Sequence, residues 1–117
     1  MLNPWKKLSK INPQREGGNR QISNPVYGAL IRARLTASEY KICLFVIDKT
    51  WGFNKHFDTI STRQFEDATK LSERMVRKVT GDLKEKRMIY FEPSKRVQRG
   101  SPFNQYLFNK HYDTWLL

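Results

Sequence analysis

A single cysteine, Cys43, excludes an intramolecular disulfide and any cysteine-based zinc cluster. The two histidines, His56 and His111, lie far apart, and neither has a ligand partner three to five residues away, so the spacing of a metal site is missing. There is no glycine-rich phosphate loop. Glu66 and Asp67 are adjacent and would point about 100° apart on a helix, which disfavours a carboxylate dyad. With no catalytic constellation, the chain reads as a binding protein that needs no cofactor and no metal, not as an enzyme. Neither a secretory apolar segment nor a run of about 18 apolar residues is present, so a protein of the cytoplasm, associated with the nucleoid and without a membrane partner, is expected.

Negative charge is also scarce. Eleven Asp and Glu face 22 Lys and Arg in 117 residues, a net charge of +11. The excess is uneven: residues 1–35 carry seven basic and one acidic side chain, residues 36–72 five of each, and residues 73–117 ten and five. Basic flanks around a neutral middle favour a polyanion, because each phosphate contact releases condensed counterions. An apolar fraction of 38% with 15 aromatic residues is too high for wholesale disorder. The length suits one domain. Residues 1–20, with scattered Pro, Gly, Lys and Arg and no sustained period, read as a flexible basic arm; residues 21–117 read as the folded domain.

Hydrophobic spacing then predicts the elements. Asn24 caps a first helix with Pro25 at its first position, and Val26, Ala29, Leu30 and Ala33 form its apolar stripe to about Leu35. Thr36 and Glu39 form a capping box for a second helix. Tyr40, Cys43, Leu44, Ile47 and Trp51 line one face of it, widened by Ile42, Phe45 and Val46, until Gly52 stops it. A short strand follows at Thr59 to Ser61. A third helix, capped by Ser61 or Thr62, turns Phe65 and Ala68 inward, and a fourth runs from Ser72 to about Lys86. Ile89 to Glu92 and Gln105 to Phe108 read as a hairpin around a basic loop from Pro93 to Phe103. The fold class is therefore mainly α with a small β-hairpin, a winged helix-turn-helix.

The fourth helix carries the chemistry. Met75, Val76, Val79 and Leu83 fall on one side and Arg74, Arg77, Lys78 and Gly81 on the other, so one face is buried while three cations are offered to a major groove. Arg74, Arg77 and Lys78 are the expected base or near-base contacts, with Ser72 at the helix start. Lys84, Lys95, Arg96 and Arg99 are expected on phosphates, and Arg63 and Gln64 either donate to phosphates or face water. Cys43 is expected to be an inert, buried thiol. Trp51, Phe53, Phe57 and Tyr90 suit core packing better than a base-stacking platform. The apolar chain end, from Phe103 to Leu117, either packs back on the domain or joins a second copy in a homodimer.

Several stretches resemble the N-terminal DNA-binding domain of lambda-type phage replication protein O: Gln21-Ile22-Ser23-Asn24, Ala29 to Arg32, Leu35 to Tyr40, Lys49-Thr50-Trp51-Gly52-Phe53-Asn54-Lys55, and Asp58 to Ser61. The resemblance covers residues 21–92, and the stretch from Lys49 to Lys55 is its most specific part. It implies a winged helix whose Ser72 to Lys86 helix reads repeated sites in double-stranded DNA at a replication origin. It also implies replication partners, a helicase or helicase loader, recruited in longer family members by a C-terminal part that these 117 residues do not reach. Transcriptional regulation with the same fold, or a module that docks on a replication partner, are the other readings. The chain departs from the family pattern at Lys70 and Arg87, where glycine is usual, and at Glu66, where a small residue is usual. Lys70 then has to adopt a left-handed backbone angle.

Overall fold

A computed structural model describes residues 3–11, 21–94 and 103–117. It is mixed α/β. Helices α1 (Asn24–Arg32) and α2 (Ala37–Thr50) lead through a 3-10 turn (Trp51–Phe53) to strand β1 (Asp58–Ser61). Helices α3 (Thr62–Thr69) and α4 (Glu73–Glu85), strands β2 (Ile89–Pro93) and β3 (Phe103–Phe108), and a last 3-10 turn (Tyr112–Thr114) follow. Instead of a bare hairpin, β1 joins the sheet: the order is β1-β3-β2, antiparallel throughout. Asp58 pairs with Tyr106 and Ser61 with Phe103, while Ile89 pairs with Phe108 and Pro93 with Asn104.

Local chemistry sets the helix ends. Thr36 accepts from the Glu39 N–H at 3.1 Å, while Glu39 accepts from the Thr36 N–H at 2.9 Å, completing the expected capping box. Helix α1 is displaced from expectation at both ends, starting one residue earlier and stopping about three residues sooner. Ser23, with extended backbone, precedes a first turn that already includes Asn24. At the other end the Tyr40 hydroxyl sits on the Leu30 and Ala33 carbonyl oxygens, which frees Ala33 to turn extended toward α2. Helix α2 ends at Thr50 with Trp51 as its C-cap, and Gly52 lies inside the 3-10 turn that follows. Asn54, at φ 54° and ψ 38°, closes that turn: its N–H donates to the Trp51 carbonyl at 3.1 Å and the Lys55 N–H to the Thr50 carbonyl at 2.8 Å.

The core lies between the helices and the sheet. Ile42, Cys43, Val46 and Ile47 of α2 meet Ile60, Phe65, Leu83, Met88 and Ile89, all at most 2% exposed. The Phe65 ring stands edge-on to Phe45 at 5.3 Å and to Tyr106 at 4.9 Å, joining helices to sheet. Two stripes are rotated from expectation. In α2 Leu44 is exposed and Thr50 buried, and in α3 Ala68 is exposed and Thr69 buried. The buried threonines are tolerated because each hydroxyl donates to the carbonyl four residues back: Thr50 to Val46 at 2.7 Å, Thr69 to Phe65 at 2.6 Å, Thr80 to Val76 at 2.8 Å. Burial pushes the Cys43 thiol up to about 12, helped by the nearby Glu39 charge, so it stays protonated and unreactive.

The chain end packs back. Trp115 lies against Phe108 at 5.7 Å and donates its indole N–H to the Asn109 carbonyl at 2.9 Å, and the Leu116 N–H donates to the Lys86 carbonyl at 2.8 Å. Beneath it, Lys86 and Glu39 form an ion pair of 2.6 Å between α4 and α2. Burial opposes ionisation of Glu39, but the Lys86 hydrogen bond and charge, with the Thr36 N–H, outweigh it and hold the carboxyl below its ordinary value. Among the described residues no helix is long and apolar enough to cross a membrane.

Candidate nucleic-acid interface

The surface in question is built from α3, α4 and the open end of the β2–β3 pair. Residues 70–72 join the helices. Lys70 takes φ 62° and ψ 20°, the left-handed angle its sequence position requires, and its N–H donates to the Glu66 carbonyl at 2.8 Å. The Thr69 hydroxyl accepts from the Leu71 N–H at 3.3 Å, and Ser72 caps α4 by accepting from the Met75 N–H at 3.2 Å. Lys41 of α2 donates to the Thr69 carbonyl at 3.3 Å, tying the turn to the core. These contacts fix how α4 is aimed. Val76, Val79, Thr80 and Leu83 face inward, and Met75 is half-buried.

Arg74, Arg77 and Lys78 all lie on the exposed face, as the helical wheel predicts. Two of the three have partners on the same helix: Arg77 with Glu73 at 2.6 Å and Lys78 with Asp82 at 3.3 Å. Both cations remain 66% exposed. Exposed pairs at this spacing are worth about 0.3–0.5 kcal/mol, against about 1–3 kcal/mol for a good bidentate base contact, so they orient the side chains without withholding them. For Arg74 no carboxylate partner occurs among the described residues. A Cβ built on Gly81 meets nothing within 4 Å, so this glycine is not required by the fold.

The remaining candidate residues divide. Ser72 and Gln64 cap helices: the Gln64 side chain accepts from the Ser61 N–H at 2.8 Å, and the Ser61 hydroxyl accepts from the Gln64 N–H at 3.1 Å. Arg63, beside it, is exposed. Because Ser61 pairs with Phe103, this first turn of α3 shares one end of the sheet with the opening of the β2–β3 pair. Lys84 turns to the sheet, donating to the Phe91 carbonyl at 3.1 Å, with its ammonium 4.6 Å from the Phe91 ring centroid and 5.1 Å from that of Tyr90. Lys95, Arg96 and Arg99 lie outside the described residues, as does much of the basic arm; of that arm, Trp5, Leu8 and Ile11 are exposed.

One expectation is overturned. Of the aromatic residues assigned to the core, Trp51 packs edge-on to Phe108 at 5.4 Å, but Phe53, Phe57 and Tyr90 are about half exposed, at 59%, 54% and 47%. The turn after α2 carries Phe53 outward past Gly52. The stretch from Phe53 to Phe57 reads as a loop in the sequence, and for these two rings the punctuation around them, Gly52, Asn54 and the flanking lysines, was the available signal that they face solvent.

Comparison with known proteins bears on this surface. Residues 13–115 match the bacteriophage replication protein O family. Replication protein O of Escherichia phage lambda is 36% identical over 56 residues, 48% of this chain and 17% of that protein, so the chain spans about a sixth of the relative's length. No solved structure matches. A family match over most of the chain, on a fold whose basic helix is held outward, leads to one assignment: the protein belongs to the bacteriophage replication protein O family.

Proposed function

We propose that this chain is a winged helix-turn-helix that binds double-stranded DNA and recognises sites in a phage or plasmid replication origin. Helix α4 enters the major groove, Arg74, Arg77 and Lys78 reach base edges or the phosphates beside them, and the β2–β3 hairpin is the wing. The observation that carries the reading is the cationic face of α4, two of whose cations are 66% exposed while its opposite side is locked into the core. The helix order, the β1-β3-β2 sheet and the net charge of +11 support it, and family membership supplies the replication context. Lys95, Arg96, Arg99 and Arg63 serve as phosphate contacts. Ser72 and Gln64 aim the helices through their caps and have donors left for phosphates, and Lys84 braces the wing. The protein acts in the host cytoplasm by binding, not by turnover, and its protein partner is a helicase or helicase loader.

Fluorescence anisotropy on origin-derived and random duplexes across a salt series tests this. Affinity for both should fall steeply with salt. Arg77→Ala should lower discrimination between them by about 1–3 kcal/mol, whereas Lys95→Ala should weaken both equally. Equal loss on both duplexes from Arg77→Ala removes that residue from the reading set, and no attraction to either duplex at low salt sinks the proposal.

A further inference from the structure

The α4 surface leaves unused the stretch from Lys49 to Lys55 and the two phenylalanines the fold sends into solvent beside it. The loop that presents them is braced. Trp51 is anchored on Phe108 at 5.4 Å, the Lys55 N–H is bonded to the Thr50 carbonyl at 2.8 Å, and Lys55 pairs with Asp58 at 3.6 Å. Asn54 accepts the positive φ that the turn demands, and asparagine is among the residues that do so at least cost. Exposing two phenyl rings on a fixed loop forgoes hydrophobic stabilisation, so the arrangement calls for an occupant.

Charge narrows the choice. The Lys49 and Lys55 ammonium groups stand 5.8 and 5.9 Å from the Phe53 ring centroid. Two shallow cavities of about 460 and 330 Å³ share Asn54, Lys55 and His56; the first runs along Phe57 to Gln105, and the second reaches Gln21, Trp51 and Lys110. Asp58, which lines the first, is already paired with Lys55. Rings set among ammonium groups suit an unpaired strand, whose bases stack on ring faces while the intervening phosphates meet lysines. A duplex keeps its base faces stacked and shows edges in its grooves, so ring faces have little there to stack on. The site is also separate from the first: Asp58, at the loop end of β1, pairs with Tyr106, whereas Ser61, at the α3 end, pairs with Phe103.

We propose that the loop from Trp51 to Phe57 is a second nucleic-acid site, which binds unpaired strand by stacking on Phe53 and Phe57 and by phosphate contacts from Lys49, Lys55 and Lys110. Replication separates strands, so a protein of this family meets such a ligand next to the duplex.

The test uses the full chain with a labelled oligothymidylate of about 15 nucleotides and a random duplex of matching length, at low ionic strength. Phe53→Ala combined with Phe57→Ala should weaken oligothymidylate binding roughly tenfold or more while changing duplex affinity less than about twofold. Phe53→Trp should keep the oligothymidylate and report it by fluorescence quenching. Lys49→Gln with Lys110→Gln should flatten the salt dependence on the single strand. Arg74→Ala with Arg77→Ala should do the reverse of the phenylalanine pair, weakening the duplex and sparing the oligothymidylate. Failure of the unaltered chain to bind oligothymidylate, retention of that binding by the phenylalanine pair, or equal loss on both ligands overturns the proposal; the duplex arm then still judges α4 by itself.

Discussion

The outward face of α4 and the loop from Trp51 to Phe57 both carry cations into solvent, but different forces hold them there. In α4 the cations are the polar side of an amphipathic helix: Val76, Val79 and Leu83 pull one face into the core, and Arg77 and Lys78 are left outside with acidic neighbours four residues away. In the loop the backbone does the work. A left-handed Asn54 and two hydrogen bonds aim Phe53 away from the core that its hydrophobicity would favour. Periodicity therefore explains the first surface, and turn geometry the second.

Three changes bear on that contrast, in falling order of effect. Phe65 joins α2, α3 and the sheet, is fully buried and touches the rings of Phe45 and Tyr106, so Phe65→Ala should cost about 3–5 kcal/mol in chemical denaturation. It should degrade both surfaces together. A variant that loses duplex binding but keeps the loop's behaviour at full stability would mean the two surfaces do not share this core.

Lys86→Met comes next. It leaves the Glu39 carboxylate, 4% exposed, without its partner and should cost about 2 kcal/mol at neutral pH. The folded carboxyl titrates below its ordinary 4.5, so the ion pair's contribution is fully present above about pH 4.5 and is lost as pH falls through the lower folded value. Unfolding curves of the unaltered chain should shift down over that acid window, and Glu39→Gln should flatten this part of the dependence. Because the pair ties α4 to α2 and lies far along the chain from Phe53, Lys86→Met should disturb duplex binding more than the loop.

Gly81→Ala has the smallest expected effect and the most discriminating one. With open space around the added Cβ, the helix should gain about 1 kcal/mol. If α4 lies in a groove, the same methyl should weaken duplex binding while leaving the oligothymidylate untouched. A more stable protein with unchanged duplex affinity would show that no ligand approaches the backbone there.

Much of this was open to reading in the residues. The capping box of Thr36 and Glu39 and the buried and exposed sides of α4 follow from local rules that tertiary packing did not override, and the left-handed turn at Lys70 is the one the family resemblance implied. What escaped were cases where a polar or apolar label misstates a side chain's needs. Thr50 and Thr69 enter the core because their hydroxyls bond within their own helices, so each stripe rotates by one position from an apolar count. Lys84 lies with Arg74 and Lys78 on any list of basic residues, yet its stem and ammonium find the rings and a carbonyl of β2, a strand that no helical wheel contains.

The sequence by itself determined the number and order of the helices, the neutral middle between basic flanks, and which side of α4 faces out, because these depend on spacing and composition within single segments. Tertiary structure decided that β1 completes the sheet, that Trp115 folds back on Phe108, and that Phe53 and Phe57 stand in solvent. Each of these depends on where distant segments meet, and a ring is buried only if another part of the chain arrives to cover it.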